Sequence, residues 1–300
     1  GVQVVARAHA GHGLTAAPDG EPFTAAGFAA LVRRAPRGVR RYVSLVPTQL
    51  HRLVAAADAA EPAGLDALCS LDAVLLGGAA TPAALLRRAR EAGARVVTTY
   101  GMTETCGGCV YDGVPLDGVR VRLDPGSGVV ELAGPVLADG YLGEPAATAA
   151  AFRTDADGTR WFRTSDLGRL DDGARLTVLG RADDVLVTGG VNVAPAAVED
   201  VVAGVEGVGE ACVVGVPDPE WGTAVVAVVT LVAGATMSDA LVATVRRAVA
   251  DRLGRAAAPR RVVVVDDLPR RGPGKVDRAA VARLAVARER AATDPSRSPS

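Results

Sequence analysis

Between Arg41 and Thr99 the chain alternates short apolar runs with amphipathic stretches, and this alternation limits the fold more than any other feature. Arg41–Val46, Ala73–Leu76 and Arg95–Thr99 have the length and the Val/Leu content of buried strands. The stretch from Pro47 to about Ala57 has helical spacing with Pro in its first turn. A second helix is expected to about Ala92, capped at Thr81-Pro82. Strand–helix–strand–helix–strand implies parallel pairing with crossover helices. Ligands of such sheets bind beyond the carboxyl ends of the strands. That rule places Gly77-Gly78-Ala79 and Tyr100-Gly101-Met102-Thr103-Glu104-Thr105 on one edge.

The pattern changes after about residue 110. Val119–Leu123, Val129–Ala133, Trp161–Arg163 and Arg175–Leu179 are short strands split by Gly/Asp/Pro turns, which predicts an antiparallel, barrel-like unit. Gly180–Asp184 marks a junction. An α+β pattern follows: helices at Pro195–Val202, Ser238–Leu253 and up to Arg290, with strands at Ala211–Val216, Ala224–Val232 and Arg261–Val265. The expected class is therefore α/β. A large N-terminal domain with a barrel-like subdomain fills 1–182, a small α+β domain fills 183–290, and 291–300 form a disordered tail.

Composition narrows the function. The formal net charge is −1, so nothing points to nucleic acid or an anionic membrane. No apolar run approaches the roughly 18–20 residues of a membrane span. Cys69, Cys106, Cys109 and Cys212 lack the paired spacing of a zinc site, with only His9 and His12 to complete one, so reduced cytoplasmic thiols are expected. The oligomeric state is open, a homo-oligomer included.

Lys and Arg total 33, and Lys275 is the single lysine. Lys ends in a compact ammonium on a flexible stem where Arg is a planar fork. A lysine kept against such a bias suits a narrow place where anions gather; a surface lysine kept by chance fits composition equally well. The other candidates divide in the same way. Thr103 and Glu104 after a strand suit a phosphate oxygen and Mg²⁺, or an ordinary turn. Asp166, in Thr164-Ser165-Asp166, could accept the two hydroxyls of a ribose, or close an Asx turn. Gly189-Gly190 permits close backbone approach, or a hairpin turn. Gly272-Pro273-Gly274-Lys275 lacks the spacing of a Walker P-loop and the Ser/Thr after the lysine. The glycine order at Gly204–Gly209 does not match a dinucleotide fingerprint.

The order of these pieces is more specific than any one of them. Gly-Gly-Ala at 77–79 is followed by Tyr-Gly-Met-Thr-Glu at 100–104 and Thr-Ser-Asp-Leu at 164–167. Then come Gly-Arg-Ala-Asp-Asp at 180–184, Gly-Gly-Val-Asn at 189–192 and Pro-Arg-Arg-Gly-Pro-Gly-Lys at 269–275. This succession resembles the adenylate-forming superfamily of acyl-CoA synthetases, nonribosomal adenylation domains and luciferases, over nearly all of the chain. Ser44–Leu50 and Tyr100–Gly118 resemble the 2-succinylbenzoate–CoA ligases of menaquinone biosynthesis within it.

The resemblance implies ATP, Mg²⁺ and CoA as cofactor and co-substrates, with a small carboxylic acid as acyl donor. By the same resemblance, Thr103 contacts the α-phosphate and Glu104 holds Mg²⁺. Gly77, Gly78, Ala79 and Tyr100 line the adenine and acyl pockets, and Gly101 and Met102 complete the nucleotide-binding turn. Asp166 binds the ribose with Arg181 assisting, and Asp183 is the hinge between the AMP-binding domain and a mobile C-terminal domain. Gly189 and Gly190 border the pantetheine tunnel. Lys275 bridges the substrate carboxylate and the α-phosphate. Ser44, Thr48 and Gly77–Thr81 are further pocket lining.

One departure stands out. The Ser/Thr/Gly-rich phosphate loop of the superfamily, ending in Pro-Lys, and a His expected just before Gly1 are not in the chain. The N-terminal domain is therefore expected to lack about its first third. Three activities fit: a 2-succinylbenzoate–CoA ligase, a ligase for a fatty or aryl acid, or a non-catalytic remnant that binds a nucleotide.

Overall fold

The computed structural model describes residues 8–11, 13–17, 21–271 and 275–293. His12, the glycine–proline loop at 272–274, the start of the chain and residues 294–300 of the expected tail lie outside the described residues.

The predicted alternation builds a sheet of order β1-β2-β3-β4-β5. Strands β1 (Tyr42–Leu45), β2 (Ala73–Leu76) and β3 (Val96–Met102) pair in parallel. Helices α1 (Ala25–Arg34), α2 (Pro47–Asp58), α3 (Ala63–Cys69) and α4 (Ala83–Glu91) accompany them. Leu45, Val74, Leu76 and Val96 pack with Leu50, Leu53, Leu68 and Leu85 in one core. Parallel strands usually bury both faces. Here β1 and β2 alternate instead, with Leu45 buried and Tyr42 57% exposed, so the expectation of a fully buried first strand is corrected. The sequence also did not foresee β4 (Gly107–Tyr111) and β5 (Val114–Pro115), which turn back antiparallel on β3.

The second sheet is antiparallel, in the order β10-β9-β7-β6 with β8 on β9. Its strands are β6 (Arg120–Leu123), β7 (Val129–Ala133), β8 (Phe152–Thr154), β9 (Arg160–Leu170) and β10 (Leu176–Arg181), with helix α5 (Pro145–Ala151) before β8. Val130, Leu132, Phe152 and Phe162 form its core, and Tyr100 and Met102 of the first sheet pack against it. The site edge of the parallel sheet is thereby fixed to the second sheet.

Beyond the short 3₁₀ turn at Ala182–Asp184 come the hairpin β11 (Leu186–Thr188) and β12 (Val191–Val193) and helix α6 (Pro195–Ala203). The next sheet has β13 (Val208–Asp218) antiparallel to β14 (Gly222–Leu231), and β15 (Arg261–Val264) parallel to β14. Strand β14 is buried without a break from Ala224 to Thr230. Its alternate residues enter two cores: Val225, Ala227 and Val229 face α6 and α7 (Asp239–Leu253), while Val226 and Val228 face α8 (Arg278–Thr293). A continuous valine run suits a strand covered on both sides. The ribbon β16 (Arg270–Arg271) and β17 (Lys275–Val276) precedes α8, which runs three residues past the expected end at Arg290. Among the described residues no helix is long and apolar enough to cross a membrane.

Candidate active site

Gly77 and Gly78 follow β2 directly. The Gly77 amide donates to the Leu45 carbonyl at 3.1 Å. A Cβ on Gly77 would lie 2.2 Å from Thr99 Oγ1, so no larger residue fits between β2 and β3. Gly101 is confined in the same way, because a Cβ there would meet the Gly107 carbonyl oxygen at 1.9 Å. The tight pass of β4 over Gly101 sets the direction of the turn that carries Thr103 and Glu104. That turn is held by Thr105, 2% exposed, whose hydroxyl accepts from the Met102 amide and donates to the Gly107 carbonyl at 2.7 Å. Thr103 stays exposed at the surface of the turn.

Glu104 is met by Tyr141, whose hydroxyl donates to Glu104 Oε1 at 2.9 Å. Desolvation and the Glu104 carboxylate raise the Tyr141 phenol pKa, so it stays a donor. No group of three acidic, His or Cys side chains able to hold a metal occurs among the described residues. A single carboxylate is what Mg²⁺ needs when substrate phosphates and water supply its remaining oxygens. Glu104 fits that requirement.

Of the two readings left open for Asp166, the strand geometry does not favour the Asx turn: the residue lies within β9, opposite Arg181 of β10. The Tyr100 hydroxyl donates to Asp166 Oδ2 at 2.8 Å, and the Asp166 amide donates to Thr164 Oγ1 at 3.0 Å. Burial first, then the Asp166 charge, push the Tyr100 phenol well above its ordinary pKa. The carboxylate is thus presented from a strand with one oxygen already oriented. Arg181, its cross-strand partner, directs its guanidinium fork to Asp183 at 2.8 and 2.6 Å. The expected ribose helper and the expected hinge residue therefore form one ion pair.

Gly189 and Gly190 form the two-residue turn of the β11–β12 hairpin, with φ of +54° and +79°. Both angles favour glycine. A Cβ on Gly189 would also lie 2.6 Å from the Trp221 ring. The hairpin reading of this pair accounts for its geometry.

Lys275 reaches the sheet edge from the other end of the chain. Its Cε lies 3.8 Å from the position a Cβ on Gly78 would take. With Ala79 it lines a cleft of about 790 Å³ between α2, α4 and the C-terminal residues. Tyr100, Glu104, Asp166, Arg181, Gly189 and Gly190 do not line that cleft. The site has two parts: a Tyr100–Asp166 and Glu104–Tyr141 part between the first two sheets, and a Gly78–Lys275 part beside the cleft.

The expected Thr81 cap is not made. Helix α4 starts at Ala83, whose amide donates to Asp200 Oδ1 of α6 at 2.7 Å. Sequence reasoning also missed Tyr141 and Arg270. Tyr141 sits among glycines with no periodic signal, and Arg270 is one of many arginines.

Comparison with known proteins places these parts in a family. Residues 11–140 match the AMP-binding enzyme family and residues 197–275 match the AMP-binding enzyme C-terminal domain. A probable 2-succinylbenzoate–CoA ligase of Mycobacterium tuberculosis is 45% identical over 246 residues, 81% of this chain and 61% of the relative. A medium/long-chain-fatty-acid–CoA ligase of the same organism is 45% identical over 158 residues, 51% of this chain and 27% of the relative. The o-succinylbenzoate CoA synthetase of Bacillus subtilis, solved with its acyl-adenylate intermediate, superposes with a TM-score of 0.63 at 29% identity. That match covers 80% of this chain and 50% of the solved one. The chain thus spans less than two thirds of the length of these relatives. Both family regions occur in order on one chain, with the Gly-Gly edge in the first and Lys275 ending the second, and the protein belongs to the AMP-binding enzyme family.

Proposed function

We propose that the protein acts as an ATP-dependent acid–CoA ligase that converts 2-succinylbenzoate to 2-succinylbenzoyl-CoA for menaquinone synthesis, in the cytoplasm. The observation that carries this reading is the placement of Lys275 against Gly78 at the end of β2. The similarity to named 2-succinylbenzoate–CoA ligases supports the choice of acid.

A carboxylate is a poor electrophile. In the first step its oxygen attacks the α-phosphorus of ATP, the bond to the bridging oxygen breaks, and pyrophosphate leaves with that electron pair. The step crowds anions together, so a movable ammonium and a metal offset the repulsion. Lys275 contacts the carboxylate and the α-phosphate in this reading. Thr103 donates to the α-phosphate, and Asp166, oriented by Tyr100, accepts the ribose hydroxyls. Glu104, steadied by Tyr141, holds Mg²⁺, which supplies charge neutralisation at the phosphates when bound. In the second step the CoA thiolate attacks the acyl carbon and AMP leaves with the acyl–oxygen electron pair. That step needs an open approach where Lys275 stood, which rotation of a C-terminal domain (183–290) about Asp183 provides. Gly189 and Gly190 then border the thiol path.

The test is pyrophosphate release by the full-length gene product over a panel of acids. A rate constant per KM for 2-succinylbenzoate at least tenfold above those for fatty and aryl acids supports the reading. Preference for a fatty acid, in line with the fatty-acid ligase relative, replaces the substrate. Nucleotide binding without pyrophosphate release from any acid replaces the ligase reading altogether.

A further inference from the structure

Lys275 is exposed and sits in a strand of two residues, so its own ribbon does not fix it beside Gly78. Its position has to come from whatever holds the ribbon. Arg270 does so one rung away. In the ribbon Arg270 opposes Val276 and Arg271 opposes Lys275. Neighbours along a strand point to opposite faces. Arg270 and Val276 therefore share the anchored face, and Lys275 lies on the other.

The Arg270 guanidinium is nearly buried, its side chain 14% exposed. Nη1 donates to Thr48 Oγ1 at 2.7 Å, and Nη2 donates to Glu210 Oε2 at 2.5 Å and to Asp267 Oδ1 at 3.1 Å. Thr48 belongs to the first turn of α2 and is 8% exposed. Two residues before it, Val46 Cγ1 lies 3.5 Å from the Cβ position of Gly78. Thr48 and Gly78 are thus fixed on one frame, and Arg270 ties the lysine ribbon to that frame. The Asp200–Ala83 bond is a second tie, from α6 to the start of α4.

We propose that the Thr48–Arg270 hydrogen bond is a releasable anchor that positions Lys275 for adenylation, which makes Thr48 and Arg270 positioning residues for that step alone. The inference rests on the reading of Lys275 given above. The arrangement of charge explains why the anchor can let go. Glu210 and Asp267, which match the Arg270 charge, lie on the same C-terminal side and travel with it. Breaking the Thr48 bond exchanges a neutral hydroxyl acceptor for water, while the Glu210 and Asp267 carboxylates stay with the Arg270 charge.

The experiment compares wild type with Thr48→Val, Thr48→Ser and Arg270→Lys in the full-length gene product. Three quantities are read: the adenylation rate, thioester formation from preformed acyl-adenylate, and acylation of Lys275 by an amine-selective reagent, located by peptide mass. Thr48→Val and Arg270→Lys are expected to slow adenylation about tenfold, the loss of one charge-assisted bond. The thioester step should hold within about twofold. Lys275 should label faster in both variants, and Thr48→Ser, which keeps the hydroxyl, should restore the wild-type pattern. Adenylation by Thr48→Val at the wild-type rate, or equal loss of both half-reactions, overturns the anchor. Lys275→Ala distinguishes the two levels. If it still adenylates, the reading of Lys275 fails, while unchanged labelling in Thr48→Val condemns the anchor by itself. Should Thr48→Val not fold, as a thermal melt would reveal, Arg270→Lys and Thr48→Ser decide the matter.

Discussion

Asp166 and Lys275 are the two charged ends of the candidate site, and the protein holds them in opposite ways. Asp166 lies within an eleven-residue strand, takes a hydrogen bond from the half-buried Tyr100 of the adjoining sheet, and rests on a core containing Val130, Leu132 and Phe162. Lys275 stands on a two-residue strand, beside Gly78 but tied to the parallel-sheet frame at a distance, through Arg270. One end is held by a sheet; under the proposed function the other would be moved between steps. The proposed two-step reaction on one acyl group would call for such a division: the nucleotide would remain bound through both steps, while the ammonium would be needed for the first only.

The strongest way to break this comparison is Lys275→Ala. The variant should lose about a thousandfold in adenylation, the scale of one lost transition-state donor, and keep thioester formation from preformed acyl-adenylate. Stopped-flow pyrophosphate release and a thioester assay separate the steps, and equal loss in both would make Lys275 a structural residue. Asp166→Asn should behave differently. If Asp166 holds the ribose as proposed, the substitution removes a charge needed in both steps, so both half-reactions should fall, by about a hundredfold. A loss confined to one step would take the ribose role away from Asp166.

Tyr100→Phe sharpens the contrast at lower cost. It deletes the donor to Asp166 Oδ2 and leaves the ring in its core. A hydrogen bond to a charged group contributes about 1.5 kcal/mol or more, so ATP affinity measured by calorimetry should fall roughly tenfold. Glu104 and its Tyr141 partner are not touched, and the Mg²⁺ dependence should not move.

The fixed end was partly legible in the sequence and the movable end hardly at all. The strands Ala73–Leu76 and Val129–Ala133 are found where expected, because an unbroken apolar run between turn residues has few other uses. Local pattern alone left Asp166 open between a ribose ligand and an Asx turn. Pairing with both β7 and β10 carries the strand through to Leu170 regardless. The start of α4 was assigned a local cap at Thr81, whereas its amide bonds to Asp200, 117 positions away. Thr48 and Arg270 are 222 positions apart. Spacing along a chain reports neighbours within a helix or strand; it carries no record of partners set by how separate elements dock. For that reason motif order, rather than local pattern, pointed to Lys275 and Asp166.

The smallest effect concerns His51, which sits on α2 and lines the cleft that Lys275 also lines. Glu210 and Arg270 face it from the C-terminal residues, and Asp58 and Arg88 from the N-terminal helices. Burial is the largest influence on its imidazole and lowers its pKa from the ordinary 6.5. Protonation is therefore easier in the unfolded chain than in the folded one. Between the two pKa values the unfolded state binds more protons, so stability rises with pH there. The stability is complete above about pH 6.5 and declines as pH falls through that value toward the folded pKa. Urea unfolding between pH 8 and 5 should follow that slope, and His51→Gln should flatten it. The same titration adds positive charge next to Arg270, so it should also loosen the lysine ribbon before it unfolds the parallel sheet. Faster acylation of Lys275 at a pH where urea stability has barely changed would place His51 on the movable end; coincident changes would return it to the core of α2.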